Sequence, residues 1–334
     1  VALGVFDSTG GSFINDLTVT NNGTADGTTT LHGNISLDNN VADTGDFTVT
    51  GDGAIIISAD LTIDTENGND ANGGNVNFNN STIYSDSAAN DLTINTSSTV
   101  GAGDGGSVKF GAISDNGGNN VFLDTVTIDM DGVANDGHLT FGRASTSIEV
   151  DGVAGSQDTA TINIDGVIDL QGAGGIAGTQ IATILFDTNA SNTAINSGAI
   201  DLRDAVTDGS AIGTVLTATT SGDATGGGVG NSVNAGNIRI GDMGQSIAFE
   251  GLIFDTTGNT TNGVLVSHDS DGDGTTEIFL EDFAGVAPVF NVSKASQWVI
   301  TSNTNLDTEG ADDDIAGHID LTNTIVSSNG VFNL

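Results

Sequence analysis

The residues best equipped for chemistry lie in one short stretch, Asp269-Ser270-Asp271-Gly272-Asp273-Gly274-Thr275-Thr276-Glu277, which runs into Ile278-Phe279-Leu280. Carboxylates stand at i, i+2 and i+4, a glycine that permits a sharp turn follows, and a fourth acid stands at i+8. Ca2+ takes six to eight oxygens in a flexible shell, and closely spaced carboxylates with one backbone carbonyl can supply it. The spacing predicts a calcium loop with Asp269, Asp271, Asp273, Glu277 and the backbone carbonyl of Thr275 as ligands. It is not an EF-hand, because the twelfth position is Leu280 and no helical pattern flanks it. The competing reading is a solvated acidic turn in an Asp-rich chain, and the ordered spacing favours the cation. Asp129, Asp131 and Asp136 form a weaker version of the same pattern. The clusters Asp64 to Asp70 and Asp307 to Asp314 lack the spacing and read as solvated loops.

Catalytic groupings are hard to assemble from what remains. Glycoside hydrolysis needs only two placed carboxylates, and 44 acids make chance pairs inevitable. Acting on acidic sugars needs cations, and the five present (Lys109, Arg143, Arg203, Arg239 and Lys294) are scattered along the chain. The histidines His32, His138, His268 and His318 are isolated in sequence. The expectation is that the protein is not an enzyme.

The elements that would position the acidic loop are legible in the composition. The 334 residues carry 44 acidic and 5 basic side chains, a net charge of −39. Nucleic acid is thereby excluded as a partner, since binding it requires Lys and Arg to neutralise phosphates. Membrane insertion is not expected either, because no apolar run reaches the length needed to span a bilayer. Cysteine is absent, which removes disulfides and thiolate chemistry. The opening residues Val1 to Gly10 show no basic-then-apolar leader, so the chain reads as a processed protein or as a segment of a longer one. High charge with few aromatics would suggest disorder. Against that, 37% of residues are hydrophobic and they fall in short, regular packets.

Those packets alternate an apolar residue with a small polar one: Leu17 to Thr20 (LTVT), Phe47 to Thr50 (FTVT), Leu61 to Asp64 (LTID), Leu92 to Asn95 (LTIN) and more beyond. Alternation over four residues, bounded by Gly, Asn and Asp, is the strand signature. A glycine followed by alternating apolar positions recurs at Gly74, Gly106, Gly137, Gly166, Gly198 and Gly236, with steps of 32, 31, 29, 32 and 38. A period near 31 residues points to a solenoid. Each repeat would form one lap of a coil, with equivalent strands stacking in parallel around an apolar interior. Gly and Asn are expected at the corners because they tolerate positive φ. The alternative is a string of antiparallel β-sandwiches, which also shows short strands and frequent turns. Phe78, Phe110 and Phe141 end three successive repeats and are expected to stack inside the coil, and Trp298 to pack in the core.

Gly73 to Ile83 (GGNVNFNNSTI), Asn90 to Ser98 (NDLTINTSS) and Gly105 to Ile113 (GGSVKFGAI) together resemble the repeats of filamentous-haemagglutinin-like bacterial exoproteins. The resemblance is clearest over residues 45–170. It implies a right-handed parallel β-helix, secretion to the cell surface, and an adhesive or structural role without catalytic residues. The acidic loop likewise resembles the DxDxDGxxD calcium loops of many extracellular β-proteins.

The expected organisation is β-solenoid repeats over 1–250, an irregular segment with the calcium loop over 251–298, where the period is lost, and terminal β repeats over 299–334. A solenoid ends in open sheet edges that must be capped or paired. Val1 to Phe6 and Val331 to Leu334 are apolar and strand-like rather than cap-like. The resulting expectation is an extracellular, calcium-stabilised structural protein. It would be a subunit or segment of a cell-surface fibre, sheath or surface layer, joining to further copies or to neighbouring repeats of a longer chain. A monomeric adhesin stalk that binds surface glycans is the second reading, and a polysaccharide-acting β-helix enzyme the third.

Overall fold

The computed structural model describes residues 1–6, 14–21, 27–37, 44–67, 72–86, 90–99, 101, 103–115, 121–152, 159–172, 176, 178–190, 196–221, 234–309 and 315–334. Among them there is no helix, and every pair of neighbouring strands runs parallel. Parallel pairing sets aside the sandwich alternative, because sandwiches are built from antiparallel neighbours. The chain is an all-β parallel solenoid and divides into two compact units, Val1–Arg143 with Ile164–Thr179, and Ala144–Asn163 with Gln180–Leu334.

The first unit has three ladders. One stacks Ala2–Leu3, Thr29–Leu31, Ile55–Ile57, Thr82–Ser85 and Ala112–Ile113, and a second stacks Leu17–Thr20, Phe47–Thr50, Val76–Asn77, Val108–Phe110 and His138–Phe141. The third stacks Ile35–Ser36, Leu61–Asp64, Leu92–Asn95 and Thr125–Asp129. Register puts like on like. Leu61 pairs Leu92, which pairs Val126, and Ile63 pairs Ile94, which pairs Ile128, at offsets of 31 and 34 residues. Alternate positions point inward, so Leu92 and Ile94 are buried while Thr93 between them stays half-buried. Phe78, Phe110 and Phe141 are all fully buried. The stack is paired rather than continuous: Phe110 meets Phe141 edge-to-face at 5.3 Å, while Phe78 meets Phe47 at 5.5 Å. Edge-to-face rings add to the apolar burial that holds successive laps together.

The second unit repeats the plan. One ladder runs Ser145–Glu149, Thr183–Asp187, Val215–Thr219, Gly251–Asp255, Val289–Lys294 and His318–Asp320. Another runs from Ile162 through Ile200–Leu202, Ile238–Ile240, Leu265–Ser267 and Gln297–Ile300 to Ile325–Ser328. Parallel pairing thus continues across residues 251–298. What disappears from the sequence there is even spacing. Ile238 pairs Leu265 at an offset of 27, whereas Gly251 pairs Val289 at 38. Trp298 is fully buried, 5.3 Å from the Phe290 ring, and its indole N–H donates to Ser267 Oγ at 3.2 Å.

The recurring glycines have a different cause from the one their corner position suggests. Gly74, Gly106, Gly137, Gly198 and Gly236 do not have positive φ; of the series only Gly166 does, at 119°. Instead they stack. A methyl group on Gly106 would lie 2.1 Å from the Gly74 carbonyl oxygen, and one on Gly137 would lie 2.0 Å from that of Gly106. In the second unit Gly236 stands in the same relation to Gly198, at 1.9 Å. Only a residue without Cβ allows the backbone of consecutive laps to approach so closely. Each crowded carbonyl is satisfied by a buried hydroxyl: Thr65 donates to Gly74, Thr96 to Gly106, Thr188 to Gly198, Thr220 to Gly236 and Thr256 to Gly263, at 2.6–3.1 Å.

Candidate metal centre

The second unit positions the acidic loop. Strand Leu265–Ser267 packs beside Ile238–Ile240 with Ile240 opposite Ser267, so the residues just beyond each strand meet across the laps. Asp242 therefore lies against Ser270 and Asp271. The loop ends where Thr275–Phe279 begins, and that strand pairs Asn303–Asp307 with Thr275 opposite Asn303. Gly272 and Gly274 take positive φ, 79° and 99°, as the tight reversal demands.

Within the loop each carboxylate first organises backbone. Asp269 accepts from the Gly272 and Gly274 N–H groups, both at 2.7 Å. Asp271 accepts from Asp273 N–H at 3.1 Å, and Asp273 from Thr275 N–H at 2.9 Å. The Gln245 amide donates to Asp271 Oδ2 at 2.9 Å. That bond is the main reason the Asp271 carboxyl is held below the usual carboxylate range. Asp269, Asp271 and Asp273 each bring one carboxylate oxygen to within 4.8 Å of the others.

A second group shares one member with the first: Asp242, Asp271 and Glu277 also bring one oxygen each to within 4.8 Å. Asp242 is fully buried. Its Oδ2 accepts from the Ser270 hydroxyl at 2.6 Å, the Ser270 N–H at 2.9 Å and the Asp271 N–H at 3.2 Å, while Oδ1 accepts from Glu277 N–H at 2.9 Å. Glu277 is the unsettled member. Its Oε2 is buried with no hydrogen-bond partner. Burial first, then the Asp242 and Asp273 carboxylates, pushes its carboxyl up to about 7. A buried acceptor without a donor, ringed by negative charge, is costly unless a proton or a cation compensates it. The donor set of hard oxygens therefore fits a metal ion.

The predicted residues are thus brought together, though as two overlapping groups rather than one shell. Asp269, Asp271 and Asp273 form the outer group, and Glu277 joins Asp271 in the inner one. Thr275 opens the strand beside them. Asp242, 27 residues before Asp269, was not legible from spacing. Aligning IRIGD (Ile238 to Asp242) with LVSHD (Leu265 to Asp269) lap on lap would have placed it. Asp129, Asp131 and Asp136 form no such three-carboxylate group among the described residues. Burial, then a hydrogen bond with Asp136, raises the Asp131 carboxyl instead. The clusters Asp64 to Asp70 and Asp307 to Asp314 lie partly outside the described residues. His138 and His318 face outward, as their repeat position implies, and His138 Nδ1 is 3.7 Å from Asp169 Oδ2.

Together these features define a parallel β-solenoid with an acidic oxygen cluster built across two laps. Comparison of the chain with protein-family models, with curated protein sequences and with solved structures returns no match.

Proposed function

We propose that this chain is a structural segment of an extracellular fibre, sheath or surface layer, akin to the haemagglutinin-like exoproteins its repeats resemble, with Ca2+ as the ion of the acidic loop. The observation that carries the reading is the ladder architecture itself: successive laps pair in parallel with the laps before and after them, so their strand edges are suited to join further laps, from the same chain or from a second copy. Contacts of that head-to-tail kind propagate into open filaments. Calcium supports the reading in two ways: its flexible oxygen shell suits five donors drawn from a loop and a strand, and its charge offsets part of the −39 that resists association.

Electron microscopy and sedimentation of the purified chain with millimolar CaCl2 and with EDTA test this. End-to-end assemblies that shorten in EDTA are the expected result. Dispersed monomers under every condition overturn it.

A further inference from the structure

Next to the acidic loop the second unit holds a cleft of about 400 Å³, within the range of small-ligand sites. Two adjacent laps form its floor. Phe279 is in register with Asp307 and Glu277 with Asn305. Thr276, Ile278 and Leu280 point into the core, so Phe279 and Glu281 face the cleft side by side with Asn305 and Asp307. The loop that follows Met243 forms the wall and contributes Gln245 and Ser246. Gly244 makes the close packing possible. Its φ is 83°, and a methyl group there would sit 2.6 Å from the Phe279 carbonyl oxygen.

The lining chemistry selects the ligand. Neither Lys nor Arg contributes to it. Arg203, Arg239 and Lys294 are paired elsewhere with Asp201, Asp204 and Asp255, and Arg143 is bonded to Asn80. Phosphate, sulfate or uronate groups would meet the Glu281 and Asp307 carboxylates with no cation in the lining to offset them, and be repelled. A simple ammonium would satisfy the carboxylates but leave the Asn305 amide and Ser246 hydroxyl unused. A neutral polyhydroxylated ring uses everything. Its C–H face lies on the half-exposed Phe279 ring, its hydroxyls donate to Glu281 and Asp307, and Asn305 and Ser246 both donate and accept. Neighbouring laps are about 4.8 Å apart, so Phe279 and Asp307 are spaced to touch one sugar ring at once. We infer that this cleft binds a neutral saccharide unit, a property that goes beyond the structural role and does not depend on polymer formation.

The test is a binding panel read by NMR shift mapping on the intact chain: neutral gluco-, galacto- and manno-configured oligosaccharides, uronate oligomers, and tetramethylammonium. Supporting results are shifts confined to residues 244–248, 279–281 and 305–307 with a neutral sugar, weakened at least 10-fold by Phe279→Ala and 5-fold or more by Asp307→Ala. Circular dichroism of both variants must match the parent, and Asn305→Ala provides a third, fully surface-located check. Binding of no neutral saccharide, binding of uronate or tetramethylammonium instead, or neutral-sugar binding indifferent to these substitutions overturns the inference.

Discussion

Asp187 is a buried acid whose electrical neighbours are themselves acids. It is 2% exposed and occupies one column with Glu149, Thr219 and Asp255, in register along Ser145–Glu149, Thr183–Asp187, Val215–Thr219 and Gly251–Asp255. Lys294 ends the column but pairs with Asp255, at 3.3 Å. Burial pushes the Asp187 carboxyl up to about 7; the Asn189 N–H opposes this, while Glu149, Asp151 and Asp255 add to it. The unfolded chain releases this proton near 3.8. Between those values the folded state holds a proton that the unfolded state has lost, so stability falls as pH rises from about 4 to about 7 and is level above. Asn replaces the carboxyl with a neutral group that still accepts from Asn189. Asp187→Asn should therefore match the parent below pH 4 and exceed it by on the order of 2–4 kcal/mol above pH 7. Urea unfolding at pH 4 and pH 8 checks this, and equal gains at both values would exclude it. Asp242 is a second buried acid, with donors on both oxygens. Whichever way an Asn amide is turned there, an NH2 faces an N–H, so Asp242→Asn should cost about 2–4 kcal/mol in the same measurement. Sequence spacing exposed Asp269, Asp271, Asp273 and Glu277 because one local turn gathers most of them. Asp242 was invisible because its proximity is a property of the lap register, which no local motif records.

At the scale of the strand and corner, the alternating packets determined nearly all that matters. Leu61, Leu92 and Val126 stack at the offsets their spacing announces, because a shift of one residue would turn each inward side chain to solvent. The corners were misjudged in cause rather than place. Glycine recurs there because lap stacks directly on lap, and the partner residue at Gly74, Gly106, Gly198, Gly236 and Gly263 is a threonine that the packets do not mark. Two substitutions separate these contributions. Gly106→Ala forces a methyl group to within 2.1 Å of the Gly74 carbonyl oxygen, so the backbone of two laps must part. The expected loss is about 3 kcal/mol or more, beyond what a permissive glycine site would show. Thr96→Val keeps the shape and removes the hydroxyl that reaches the Gly106 carbonyl at 2.6 Å and the Asp129 carbonyl at 3.3 Å, for about 1–3 kcal/mol. Thermal unfolding of the two variants should rank them in that order. A neutral or stabilising Gly106→Ala would mean that the laps tolerate being spread.

The scale of the whole molecule is governed by charge. A chain with 44 acids and 5 bases stores Coulomb repulsion in any compact state, and any added salt relieves some of it by screening. A specific ion does something further, because it binds the folded loop and not the unfolded chain. Loops of this type in extracellular modules hold Ca2+ with Kd of about 10⁻⁴–10⁻³ M, so CaCl2 at 10 mM, about 10–100 times Kd, adds about 1.4–2.7 kcal/mol to stability. At 10 mM CaCl2 the Tm should therefore rise several degrees more than in NaCl of equal ionic strength. Glu277→Gln and Asp271→Asn each remove one carboxyl ligand from the loop cluster and almost nothing from the −39 total. They should keep the NaCl response and lose most of the calcium excess. Scanning calorimetry of the three chains in both salts decides the matter. If calcium and sodium give equal shifts in the parent, the acids act only as a diffuse field, and the loop is a solvated turn rather than a metal site.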